Sequence, residues 1–119
     1  LNQQWGANQF ADGGRTLQVS NGFTYRHTFV PNSSPLGANY VCDGSVMLNG
    51  APIDKAASYR VTMNSFLATG GDNYTVFNLG TNHLGGDVDL DALELYFTAN
   101  PSGVAPGARD RIQQVASCN

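Results

Sequence analysis

An α+β fold, a mostly antiparallel sheet with a partial helix at the start and one helix near the C-terminus, is what this 119-residue sequence predicts. Three observations predict it. Phe23, Tyr25, His27 and Phe29 alternate with Thr24, Arg26 and Thr28, the period of two of a strand with one buried face. Tyr59, Val61 and Met63 repeat that alternation. Leu90, Leu93 and Phe97 stand instead at spacings of three and four, which places them on one face of a helix.

The elements follow in order. Leu1 and Trp5, with Phe10 beyond them, form an apolar stripe among Asn and Gln, consistent with the tail of an amphipathic helix cut at its start. Pro31 to Pro35 reads as a surface loop, and Asn49-Gly50 supplies the positive φ values of a tight hairpin. After the strand at 59–63 comes a turn-rich edge, Asn64 to Tyr74. Thr75 to Leu79 has no clear period, and Gly80 to Gly86 is a loop. Asp87 or Asp89 then caps a helix that runs through Ala99, and Pro101 to Pro106 ends it. With no repeat, low-complexity block or linker, residues 1–119 read as a single domain.

Composition excludes several function classes. Six Lys plus Arg against nine Asp plus Glu leave a net charge of −3, and the basic residues are scattered, so a general nucleic-acid surface is not expected. Charged residues make up 13% and hydrophobic ones 41%, with fourteen glycines, which argues for an ordered, turn-rich domain. No apolar run approaches the roughly 20 residues that cross a bilayer, and no signal peptide opens the chain, so an export signal would lie upstream of Leu1. Cys42 and Cys118 are too far apart for a redox or zinc C-x-x-C motif. Their even number suits one structural disulfide in an exported protein, worth about 4 kcal/mol by chain entropy; the other reading is two separate thiols.

The stretch Asn64 to Tyr74, N-S-F-L-A-T-G-G-D-N-Y, has the makings of a binding edge. Gly70 and Gly71 let the chain turn and approach a ligand closely, Asp72 and Asn73 satisfy turn amides, and Tyr74 offers a flat ring. The plainer reading is a tight connection with Tyr74 tucked into the core. Other chemical motifs fail. Asp87, Asp89 and Asp91 give D-x-D-x-D, but Ala92 and Thr98 stand where a calcium loop needs Gly and Glu, so capping and solvation explain the trio better. His27 and His83, the two histidines, are far apart and lack a companion metal-ligand cluster. No phosphate-binding loop and no nucleophile elbow occurs.

Residues 59–74, tyrosine-arginine-valine, then Asn64, Leu67-Ala68, Gly70-Gly71-Asp72 and an aromatic, resemble the C-terminal domain of the 5'-nucleotidase family. Gly14 to Tyr25, with L-Q-V-S, is similar to a strand of that family, and Val46 to Asp54, with N-G-x-P-I-D, to its hairpin. Asp89 to Leu93 with Tyr96 is similar to its last helix, and Arg111-Ile112 to its closing strand. The ordered blocks cover roughly residues 14–115.

This resemblance implies a substrate-binding domain for the nucleoside moiety of a nucleotide or related phosphoester, with no cofactor in this segment. The divalent metal pair belongs to an N-terminal metallophosphoesterase domain of the same parent chain, which performs the hydrolysis. It implies that Tyr74 stacks on the base, with Gly70, Gly71 and Asp72 matching the motif before it and Asn73 standing where relatives often have Gly. The second aromatic, and the arginines and asparagine that hold base and phosphate, come from segments that precede Leu1. Leu79 and Gly80 stand where family members can place an acidic residue for the ribose. The expected location is extracellular, periplasmic or at the cell surface. The competing reading is a non-catalytic extracellular interaction module that keeps the fold without nucleotide affinity, and a third, an independent small hydrolase, has no motif in its support. An uncovered sheet edge would invite self-association.

Overall fold

A computed structural model describes residues 1–5, 16–30 and 38–119 of the chain. Strand β1 (Phe23–Val30) is its centre. One edge of β1 pairs antiparallel with β2 (Ala38–Val41), His27 opposite Val41, and then with β3 (Met47–Leu48), Phe23 opposite Leu48. The other edge pairs in parallel with β5 (Ile112–Val115), Tyr25 beside Ile112 and Thr28 beside Val115. Strand β4 (Ala51–Pro52) closes a hairpin with β3, and Asn49 (φ 52°) and Gly50 (φ 81°) make its turn, as their sequence predicts. Two α-helices, α1 (Ser65–Ala68) and α2 (Asp89–Ala99), and 3-10 helices at Asn2–Trp5, Gly71–Asn73 and Thr75–Leu79 complete the described elements. The predicted α+β class holds, and three of the four strand pairings are antiparallel.

Between β2 and β3 the chain turns at Cys42–Ser45, where Gly44 adopts φ 72°. Ser45 replaces a strand neighbour there. Its hydroxyl accepts from the Arg26 amide at 3.0 Å and donates toward the Cys42 carbonyl at 2.7 Å, so the β1 edge stays satisfied across the break. The disulfide Cys42–Cys118 ties the end of β2 to the segment after β5, closing the sheet half covalently. The even cysteine count is thus met by a bond, with Cα atoms 5.2 Å apart.

The core sits on one face of β1. Tyr25, 1% exposed, meets Trp5 edge-on at 6.4 Å and Phe23 at 6.5 Å, while Trp5 stacks on His27 at 4.8 Å. The alternation thus buries its face at Tyr25, but Phe29 is 47% exposed where that cover ends. Thr28, on the opposite face, is buried instead, its hydroxyl donating to the Ala116 carbonyl at 3.2 Å.

Three sequence expectations are corrected. Leu1 to Trp5 forms a 3-10 helix over Asn2–Trp5, and the rest of the expected opening helix, 6–10, lies outside the described residues, as does the loop 31–35. Tyr59 to Met63 is not a strand: among the described residues no neighbouring segment pairs with it, and alternation makes a strand only where a ladder partner exists. Helix α2 ends at Ala99 as predicted, but Val88 is its N-cap residue, and the Asp89 carboxylate bonds the Leu90 amide within the first turn, where the helix dipole favours it. Leu90, Leu93 and Phe97 share the predicted face, yet each is 50% exposed or more, because no described element makes an extensive contact with α2.

Candidate functional site

The Asn64–Leu79 segment holds every residue the sequence nominated for substrate binding. Asn64 is extended (φ −70°, ψ 160°), and its side-chain oxygen accepts from the Leu67 amide at 2.9 Å, an N-cap that starts α1. The sequence predicts only a turn-rich edge here and not this short helix, whose one local signal is an Asn before S-F-L-A. One turn later Thr69 stops the helix, its hydroxyl donating to the Ser65 and Phe66 carbonyls, both at 3.1 Å.

The glycine pair is required for two separate reasons. Gly70 adopts φ 83°, the left-handed region that side chains disfavour, and a Cβ there would stand 2.9 Å from the Asn78 carboxamide. Gly71 has no such φ. A Cβ on it would fall 2.5 Å from the Phe66 carbonyl oxygen and 2.6 Å from the Phe66 ring, so only hydrogen fits between the turn and α1. Asp72 (φ 51°) and Asn73 (φ 62°) then continue in left-handed conformations, the residue types that tolerate them best after glycine. Positive φ at the two consecutive non-glycine positions, Asp72 and Asn73, is backbone strain of the kind that collects at functional sites.

This curl delivers Tyr74 to the inside. Its amide donates to the Gly71 carbonyl at 3.1 Å, and its ring packs at 5.8 Å against Phe77, which belongs to the 3-10 helix Thr75–Leu79. Tyr74 is 2% exposed, so a planar ligand reaches the ring only after the groups over it move. Asp72 is half-buried and Asn73 exposed, which puts the polar pair at the rim.

Asn2, Gln3 and Gln4 link this segment and β2 to the core. Asn2 Oδ1 accepts from the Val41 amide at 2.8 Å. Gln4, 0% exposed, donates to the Tyr25 hydroxyl at 3.0 Å and accepts from the Leu17 amide at 2.8 Å. Gln3 donates to Thr75 Oγ1 at 2.7 Å and accepts from the Val76 amide at 3.0 Å. Sequence reasoning treated these amides as the polar face of a helix; three adjacent carboxamides after Leu1 carry no signature of three different targets.

Burial pushes the Tyr25 phenol above its ordinary range, partly opposed by the Gln4 hydrogen bond. Lys55 pairs with Asp43 on the surface and holds that carboxyl below its usual range. Among the described residues no three His, Cys, Asp or Glu side chains gather as a metal group, and no helix is long and apolar enough to cross a membrane. An open groove of about 340 Å³ lies away from Tyr74, between Thr24, Arg26, Ser45, Met47, Asp110 and Gln113. It is partly open to solvent and lined largely by polar residues, unlike the concave, mostly apolar cavities that hold small molecules.

The sequence matches the 5'-nucleotidase, C-terminal domain family over residues 1–79. It is 33% identical over 85 residues to snake venom 5'-nucleotidase from Macrovipera lebetinus, an alignment covering 70% of this chain and 21% of that protein. It is 32% identical over 85 residues to snake venom 5'-nucleotidase from Crotalus adamanteus, covering 70% of this chain and 14% of that one. The match therefore spans less than a quarter of either relative's length. No solved structure matches.

Proposed function

The chain belongs to the 5'-nucleotidase C-terminal domain family, and on that premise we propose that it binds the nucleoside moiety of a nucleotide phosphate monoester, with Tyr74 as the base-stacking ring. The observation that carries this reading is the Gly70–Tyr74 curl. Two glycines fixed by geometry and two strained polar residues end on one aromatic, which a base reaches once the groups over the 2%-exposed ring move aside. A base laid on such a ring gains roughly 1 to 3 kcal/mol from stacking.

This chain then acts as a binding module within a longer exported metallophosphoesterase. The metal pair and the water it activates belong to the N-terminal domain of that parent, and the present residues orient the substrate toward it. The Cys42–Cys118 bond supports an oxidising, extracellular, periplasmic or cell-surface location. Its direct test is AMP hydrolysis by the natural chain that carries these residues, with divalent metal in excess. Tyr74→Ala should raise KM several-fold with the metals still bound; an unchanged KM refutes the stacking role.

One observation favours a second reading. Tyr74 is 2% exposed, and Leu79 and Gly80 supply no acidic partner for a ribose, which suits a non-catalytic interaction module. Such a module would use the apolar side chains of α2 or a sheet edge, a second copy of the chain included. The two readings part on one measurement, AMP binding, which the module lacks.

A further inference from the structure

Gln3 holds two consecutive residues at once. Its carboxamide NH2 reaches Thr75 Oγ1 at 2.7 Å and its oxygen takes the Val76 amide at 3.0 Å, across 72 and 73 positions of sequence. These are the two residues directly after Tyr74. The turn that carries Gln3 is itself anchored, because Gln4 is buried against Tyr25 in the core and Asn2 bonds β2. A carboxamide used in both its donor and its acceptor capacity fixes the orientation of the peptide it grips, which a single bond does not. The Asn64–Leu79 segment makes its own contacts chiefly between α1 and the two short 3-10 helices that follow it, Gly71–Asn73 and Thr75–Leu79. The bridge from Gln3 therefore sets where the Tyr74 ring sits relative to the sheet.

We propose that Gln3 is a positioning residue for the Tyr74 platform: its two-point clamp on Thr75 and Val76 fixes the ring for the base. The inference rests on the nucleoside-binding reading above. It concerns substrate affinity and not the chemical step, so the clamp acts on KM while kcat stays with the metal domain. Chemistry also dictates which replacement restores it. A carboxylate at position 3 still accepts from the Val76 amide, and the Thr75 hydroxyl turns to donate to it, so Gln3→Glu keeps both bonds whereas Gln3→Ala and Gln3→Met keep neither.

The experiment uses the natural chain, with AMP as the probe. It measures KM and kcat together with hydrogen exchange, read by mass spectrometry, of the peptide spanning Tyr74 to Leu79. Gln3→Ala should speed exchange in that peptide and raise KM about ten-fold, as the loss of two net hydrogen bonds implies, with kcat within about two-fold of wild type. Gln3→Glu should return both readouts toward wild type. Gln3→Met, which keeps the side-chain length, carries the test if the alanine variant does not fold, and Trp5 emission reports whether the turn remains docked. The proposal is overturned if Tyr74→Ala raises KM while Gln3→Ala and Gln3→Met do not. It is equally overturned if Gln3→Glu loses as much affinity as Gln3→Ala. If Tyr74→Ala itself leaves KM unchanged, the base-binding reading has failed and Gln3 has no substrate to position, whatever the exchange data show.

Discussion

Replacing Gln4 with alanine removes a fully buried carboxamide that joins three segments distant in sequence. Its NH2 donates to the Tyr25 hydroxyl at 3.0 Å and its oxygen accepts from the Leu17 amide at 2.8 Å. A typical bond contributes on the order of 1 kcal/mol net, whereas removing one partner so that the other is left buried and unsatisfied costs roughly 1 to 3 kcal/mol. Tyr25 is 1% exposed and cannot turn to water, whereas Leu17 is half-buried and recovers part of its loss. Gln4→Ala should therefore destabilise by about 3 kcal/mol, a large share of the roughly 5 to 15 kcal/mol that holds a domain together. Urea unfolding followed by far-ultraviolet circular dichroism measures it. At a slope of roughly 1 to 3 kcal/mol/M the midpoint falls by about 1 to 3 M. Tyr25→Phe removes the other end of one bond, so the double variant should cost less than the two single variants summed, by about 1 kcal/mol. A Gln4→Ala loss under about 0.5 kcal/mol, the range of ordinary surface changes, would refute the reasoning and make the turn a surface appendage.

Three further outcomes follow. Thiol titration of the denatured protein should find no free thiol before reduction and two after it, and Cys118→Ser should lower stability by about 4 kcal/mol. Gly71→Ala drives a methyl group into the Phe66 carbonyl and ring, so it should cost about 1 to 3 kcal/mol and speed exchange of the segment around α1, while Gly85→Ala, with open space around it, should not. The Tyr25 phenol is shifted upward by burial, so the folded state keeps its proton to higher pH than the unfolded chain does. Its contribution is fully present below the ordinary tyrosine value, near 10, and is lost as pH rises through the raised folded value; the urea midpoint should fall above about pH 10, and less so in Tyr25→Phe.

Local chemistry explains what was legible in the sequence. Period-two alternation located β1, and Asn49-Gly50 fixed the hairpin because few other pairs take two positive φ values in succession. The helical spacing of Leu90, Leu93 and Phe97 located α2, and Pro101 beyond it marked the end at Ala99, although not the Val88 cap. Two cysteines in a chain read as exported suited one bond, with two separate thiols as the other reading, and the structure forms the bond. The G-G-D-N-Y run announced a turn ending on an aromatic, and of the blocks that suggested the family, those before residue 80 lie within the matched residues 1–79, while the resemblance read at 89–96 and 111–112 lies beyond them.

What needed tertiary structure is everything that depends on a partner distant along the chain. Tyr59, Val61 and Met63 alternate as well as β1 does, but a strand exists only where another backbone completes its hydrogen bonds, and alternation says nothing of that neighbour. Gly70 and Gly71 are identical letters: one is dictated by its own φ, which a turn motif predicts, the other by Phe66 lying 2.5 Å from where a Cβ would be, which only packing reveals. Asn2, Gln3 and Gln4 are three similar amides in a row, yet the fold sends them to β2, to Thr75–Val76 and to Tyr25. The sequence by itself determined the family, the turn chemistry and the residue types at the candidate site. Tertiary structure decided that Tyr74 lies buried and that a glutamine 71 residues earlier holds the backbone beside it, because side-chain bonds between distant segments leave no period in the sequence.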